Sequence, residues 1–205
     1  MSDTSYIPET KSSLPSPASL SRLNSKLPLL TSRSAVHPGS SPAPLTPASL
    51  NCLLSGCTPV CSPVILCIGT DRIIGDSLGP LVGSILEKKA SGTFPVYGTL
   101  HDPAHALNLW AINTEIKKKH PNSPVIAVDA SLGNSTHIGS VFVRPGSIAP
   151  GSGVKKNLPP SGDIAITGIV NEESSHPYLA LQTARLSTVA DMAEGIADCL
   201  LQVLM

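Results

Sequence analysis

In this chain of 205 residues, Lys and Arg together number 14 and so do Asp and Glu, so no net charge steers it toward nucleic acid or an anionic membrane. The length suffices for one domain with a real core plus a tail, and no apolar run approaches the roughly 20 residues of a membrane-spanning helix. The five cysteines, Cys52, Cys57, Cys61, Cys67 and Cys199, are odd in number and spaced unlike a zinc site, which fits a reducing cytosol better than a disulfide framework.

Residues 1–61 differ in kind from the rest. Ser, Pro, Thr and Leu dominate there, periodicity is weak, and Tyr6 is the one aromatic residue. Such a segment buries too little apolar surface to offset its ordering entropy, so a disordered extension is expected. Leu54-Ser-Gly-Cys57 has the form of a lipoprotein cleavage site. It lies far from the start, however, and Pro42, Pro44 and Pro47 interrupt the stretch before it, so no lipid anchor is expected.

From residue 62 to 205 apolar runs and helical patterns alternate. Residues 64–69 read as a buried strand that ends abruptly at Gly69, and 77–90 as a helix. A strand at 96–100 and a helix at 103–119 follow, with Lys117-Lys-Lys119 as a solvated helix end. Strands are expected at 125–129, 138–144 and 164–170, and a loop rich in Gly, Pro and Lys at 146–162. The last helix is expected over 177–203, with Leu181, Val189, Met192, Ile196, Leu200 and Val203 as its apolar stripe. Alternation of this kind predicts an α/β fold of three layers, α/β/α, around a mixed, mostly parallel sheet. The short link 131–137 suggests that the strands on either side of it form an antiparallel pair.

Chemistry gathers at the carboxyl ends of such strands. Gly69, Gly75, Gly79 and Gly83 fit neither G-x-G-x-x-G nor a P-loop. Their spacing of four from Gly75 onward predicts a helix face that presses its backbone on the sheet. Gly75-Asp-Ser-Leu78 and Asp102-Pro-Ala-His105 spell the two signatures of GDSL esterases, with Ser77 as nucleophile and His105 as base. Both stand in the wrong structural context. Ser77 reads better as a helix cap, and Asp102 and His105 as parts of a helix start.

The carboxylates are the stronger signal. Asp76 follows the first strand, and Asp129 closes Val125-Ile-Ala-Val-Asp129. If those strands are neighbours, the two acids flank one cleft, share a proton and can serve as general base and acid. The ordinary alternatives are a helix N-cap for Asp76 and a turn former for Asp129. The same pair with His176 is a weak candidate set for a divalent metal, and no other cofactor is called for.

At these residues the chain resembles the YyaC sporulation protein family. The likeness is carried by Cys67-Ile-Gly-Thr-Asp-Arg72, Gly75-Asp-Ser-Leu-Gly-Pro-Leu-Val-Gly83, Val96-Tyr-Gly-Thr-Leu100, Val125-Ile-Ala-Val-Asp-Ala130, the stretch from Gly162 to Asn171, and Leu181-Gln-Thr-Ala-Arg-Leu186. That family is similar to the spore germination protease and to the hydrogenase maturation proteases. The resemblance implies their α/β/α fold and an aspartate-dependent peptidase with Asp76 and Asp129 as catalytic residues. It also implies Gly69, Asp71, Arg72 and Gly75 as a supporting loop that shapes the site or holds the oxyanion. The implied partner is a protein or peptide substrate, such as small acid-soluble spore proteins, in the cytoplasm of a sporulating cell or the spore interior. A homo-oligomer is left open. The competing class is a non-catalytic sporulation protein that uses the same fold to bind a peptide or partner, since fold alone confers no activity.

Overall fold

A computed structural model describes residues 41–57, 61–90, 92–150 and 158–205, all within one compact unit. The strands are β1 (Ala43–Pro44), β2 (Val64–Cys67), β3 (Val96–Tyr97), β4 (Val125–Gly133), β5 (Val141–Pro145) and β6 (Ile164–Glu172). They form a six-stranded mixed sheet in the order β1-β5-β6-β4-β2-β3. β3, β2, β4 and β6 run parallel, and β5 is antiparallel to both β6 and β1. β2 is buried along its whole length, which is why it reads as an unbroken apolar run.

The helices are α1 (Pro47–Ser55), α2 (Leu78–Ala90), α3 (Leu109–Lys119), α4 (Pro177–Gln182) and α5 (Leu186–Leu204). α1, α2 and α5 cover one face of the sheet. There Leu50, Val82, Leu86, Val189, Ile196 and Leu200 pack on Ile65, Cys67, Ile126, Val128, Val143, Ile164 and Ile166. On the other face Leu109, Ile112 and Ile116 of α3, with Ile148 and Leu158, cover Val64, Leu66, Ala127 and Ala165. The expected three-layer α/β/α fold is present.

Four expectations need correction. The predicted disordered extension stops short of residue 61, because residues 43–55 form β1 and α1. The α1 start is a capping box: Thr46 Oγ1 accepts from the Ser49 amide at 3.1 Å, and Ser49 Oγ accepts from the Thr46 amide at 2.9 Å. Pro47 fills the first helical position and Leu50 is fully buried, so the prolines start this element rather than prevent it. Residues 1–40 and 58–60 of that reading lie outside the described residues.

The second correction concerns strand pairing. β5 does not pair with β4. One edge of β4 is taken by β2, with Val64 opposite Val125, and the other by β6, with Asp129 opposite Thr167. β5 therefore lies beyond β6, and the link from β4 crosses over two strand spacings through a short turn at Ser135–His137.

The last helix is broken, and this is the third correction. Arg185 is extended, at φ −80° and ψ 120°. The carbonyls at the end of α4 find side-chain donors instead of a further helical turn: Asn171 Nδ2 donates to Ala180 at 2.8 Å, and the Thr183 hydroxyl to Leu179 at 2.9 Å. Fourth, the helix expected from residue 103 begins at Leu109. Asn108 holds the preceding turn, accepting from the His105 amide at 2.8 Å and donating to the Pro103 carbonyl at 2.9 Å.

The helix-face reading of the glycines holds at α2. A Cβ on Gly79 would stand 2.1 Å from the Ile68 carbonyl oxygen, and one on Gly83 2.0 Å from that of Gly98. Gly195 on α5 has nothing within 4 Å. The two positions therefore respond oppositely to the same added methyl. Gly83→Ala should destabilise by about 3 kcal/mol or more, because the obstacle is backbone. Gly195→Ala should stabilise by about 0.5–1 kcal/mol. Urea unfolding midpoints of the two variants measure both signs.

Candidate active site

β2 delivers the chain to Gly69, which adopts φ +143° and whose Cβ, if present, would stand 2.0 Å from the Asp76 carbonyl oxygen. Only glycine lets the loop fold back this closely. The Thr70 amide donates to that same carbonyl at 3.0 Å and closes the loop. The single turn Gly75–Ser77 follows, with the Ser77 hydroxyl donating to Ile74 at 2.6 Å. Gly75 abuts the carbonyl of Leu181 on α4. Asp76 is thereby placed half-buried over the end of β2.

Asp129 sits on the neighbouring strand, one residue beyond the pairing of Cys67 with Val128. It is 8 % exposed. Burial pushes its carboxyl well above the usual aspartate range, the charge of Asp76 pushes it further, and the Ala130 amide, donating to Oδ1 at 2.9 Å, opposes both. The two acids thus interact across one site, Asp129 from within β4 and Asp76 from the turn after β2, and it is Asp129 whose protonated form is favoured.

Both acids line a cavity of about 590 Å³. Alternation along the strands puts Asp129 and Ser131 of β4, Thr167 and Ile169 of β6, and Phe142 and Arg144 of β5 on the face that α3 covers elsewhere. Pro177 and Leu181 of α4 close one side. Arg144, Thr167 and Ser131 escaped sequence reasoning. None of the three stands in a catalytic or ligand-binding motif, and their convergence with Asp129 depends on β6 lying between β4 and β5.

Other sequence candidates lie elsewhere. Asp71 and Arg72 are exposed and absent from the cavity wall; both bond the Thr70 hydroxyl, at 3.4 and 3.3 Å, and shape only the outer turn. Gly69 and Gly75 act through the backbone contacts above. His176 is exposed, with Nδ1 3.0 Å from the Ser175 hydroxyl. Among the described residues no three His, Cys, Asp or Glu side chains are grouped to hold a metal ion, so Asp76, Asp129 and His176 do not fit one as a set. The esterase constellation is also absent. Ser77 is buried and bonded to Ile74, whereas His105 Nδ1 accepts from the Leu107 amide at 3.2 Å. Ser77 is not a side-chain cap of α2 either; it ends the turn that precedes it.

The family model described as "Protein of unknown function (DUF1256)" matches residues 50–199. The chain belongs to the DUF1256 family. It is 49% identical over 135 residues to the uncharacterized protein YyaC of Bacillus subtilis strain 168, covering 66% of this chain and 66% of that protein, just under two thirds of the relative's length. Among solved structures it is similar to the [NiFe] hydrogenase maturation protease HycI of Thermococcus kodakarensis, at a TM-score of 0.51 and 19% identity over 76% of this chain and 98% of that one. A second, the [NiFe] hydrogenase maturation protease HybD of the same organism, gives a TM-score of 0.45 at 12% identity over 71% of this chain and all of that one. The likeness to the first of these shows that this DUF1256 member shares its fold. No helix among the described residues is long and apolar enough to cross a membrane.

Burial of Asp129 has a signature in stability. Its folded-state pKa lies above the unfolded value, so folding favours the protonated form, and stability falls as pH rises from about 4 through the folded pKa. Asp129→Asn keeps an Oδ1 acceptor for Ala130 and removes the titration. The variant should unfold about 2–6 °C higher than the parent at pH 7, and the gap should close as pH falls toward 4. Thermal melts at both pH values test this; a gap of constant size would refute the burial argument.

Proposed function

We propose that this chain is an aspartate-dependent peptidase, acting on a protein or peptide substrate during sporulation or germination. The observation that carries this reading is the pairing of a buried carboxyl that favours its proton with a second, half-buried carboxyl in one cavity. Asp76, as carboxylate, accepts a proton from water as the water oxygen attacks the peptide carbonyl. Asp129 donates its proton to the carbonyl oxygen, and the product of attack is a gem-diol. Asp76, now protonated, gives its proton to the leaving amine nitrogen as the C–N bond breaks, while Asp129 takes one back from a gem-diol hydroxyl, so the products are an acid and an amine and the pair is restored. The fold shared with a hydrogenase maturation protease supports the class of reaction, not the substrate.

The full chain should cleave small acid-soluble spore proteins, and cleavage should persist in EDTA. Asp76→Asn and Asp129→Asn should each lose about 10²–10⁴-fold in rate, the range of a general acid or base. Fragment analysis by mass spectrometry measures the loss and locates the scissile bond. Binding of the substrate without cleavage by the parent would replace this reading with a non-catalytic binding module, and loss of activity in EDTA would replace it with metal-assisted hydrolysis.

A further inference from the structure

Arg144 stands in the cavity wall, on the same sheet face as Asp129. Its guanidinium is braced rather than neutralised. Nη1 donates to the Pro145 carbonyl at 3.2 Å and Nη2 to the Ser147 carbonyl at 2.8 Å. Two carbonyls fix the plane of the fork and leave its positive charge in place. No ion pair to Arg144 is present among the described residues. It is not compensating the buried acid either: burial, Asp76 and the Ala130 amide are what set the proton affinity of Asp129. A half-buried, oriented arginine with donors to spare is built to receive a planar anion.

The sheet register measures where that anion would lie. Asp129 faces Thr167 across β4 and β6, and Arg144 faces Ala165 across β5 and β6. Two strand spacings sideways and two residues along give about 12 Å between the two Cα atoms. An extended peptide advances about 3.3 Å per residue, so a group held by Arg144 lies roughly two to four residues from a bond held at Asp129. Phe142, Ile169 and Pro42 flank that path and offer apolar contact to the intervening residues.

We infer that Arg144 is a specificity-determining residue that binds a carboxylate of the substrate, either an acidic side chain or a chain terminus, a few residues from the scissile bond. The assignment rests on the peptide-binding part of the proposed function. It does not depend on hydrolysis.

The test uses the full chain and four fluorescein-labelled decapeptides of Ala, Leu and Gly, whose uniform flanks let each find its own register. Three have blocked ends and differ only in a central Glu, Gln or Lys; the fourth has the central Gln and a free carboxyl terminus. Fluorescence anisotropy should show the parent binding the Glu peptide or the free-terminus peptide at least about tenfold tighter than the blocked Gln peptide, and which of the two it prefers identifies the source of the carboxylate. Arg144→Gln should abolish that preference. Arg144→Glu should turn it toward the Lys peptide, an inversion that a loosened loop at 145–147 cannot produce. Equal affinities for all four peptides, no binding, or a preference unchanged in Arg144→Gln would overturn the assignment. Chromatography of the same mixtures separates the two readings: carboxylate preference without cleavage by the parent overturns the peptidase reading alone, whereas cleavage indifferent to the central residue and the terminus overturns the role of Arg144 alone.

Discussion

At two points no side chain separates α2 from the sheet beneath it, and the position of the site depends on this. Gly79 presses on the Ile68 peptide and Gly83 on that of Gly98, while Gly98 itself presses on the Cys67 carbonyl. Together with Gly69 against Asp76, these contacts stack β3, β2, the following loop and α2 backbone on backbone. Loop residues are ordinarily the mobile part of a fold. Here the loop that carries Asp76 is closed on itself, its start joined to its end by the Gly69 approach to the Asp76 carbonyl and by the Thr70 amide donating to that same carbonyl. A catalytic carboxylate held within a fraction of an ångström needs this kind of support, and it comes from main-chain atoms that substitution of Asp76 itself would leave untouched.

The second acid is placed at a cost. A carboxyl buried beside another acid destabilises the fold relative to an amide of the same shape. The bond it receives from the Ala130 amide would serve Asn equally well. A strand-end turn former has no use for the acid form in such a place. Destabilisation retained at one buried position, in the wall of the cavity described, is the pattern of a group kept for its proton rather than for its packing.

Much of the fold was legible because its elements are locally consistent. β2 is a four-residue apolar run, Val64–Cys67, bounded by Pro63 and Gly69, and such a run is a buried parallel strand by its composition alone. Asp76 and Asp129 were legible for a related reason: Asp129 directly follows an apolar run, Asp76 lies in the Gly-punctuated loop after another, and parallel neighbours bring such segments together. α1 was readable but misread. The capping-box residues Thr46 and Ser49, with Pro47 and then Leu50, Leu53 and Leu54, spell an N-terminus and an apolar face, and the surrounding prolines masked the signal. The break at Arg185 was not legible. The apolar stripe runs on from Leu181 to Val189, and the interruption is set by bonds from Asn171 on β6, which no local pattern encodes. Arg144 escaped for the same kind of reason, since its place beside the acids is decided by two pairings distant in sequence, its own with Ala165 and that of Asp129 with Thr167.

That strand order also explains why one face of the sheet has room for a substrate. α1, α2 and α5 all lie on the face opposite, and α3 is the one helix of the described residues that covers the near face, over β2 and the start of β4. α3 connects β3 to β4, so it must sit near that end of the sheet. The insertion of β6 between β4 and β5 then carries two further strands away from it. Among the described residues no helix covers these two strands on the near face. Asp129 stands where the cover given by α3 ends. Its carboxyl is dry because α3 and Ile148 close over the β4 start behind it, and it reaches the cavity beside Thr167 and Ile169 of β6 and Phe142 and Arg144 of β5. A peptide of the kind proposed, laid across these strands from the acids, would meet Thr167 first and then Phe142 and Arg144.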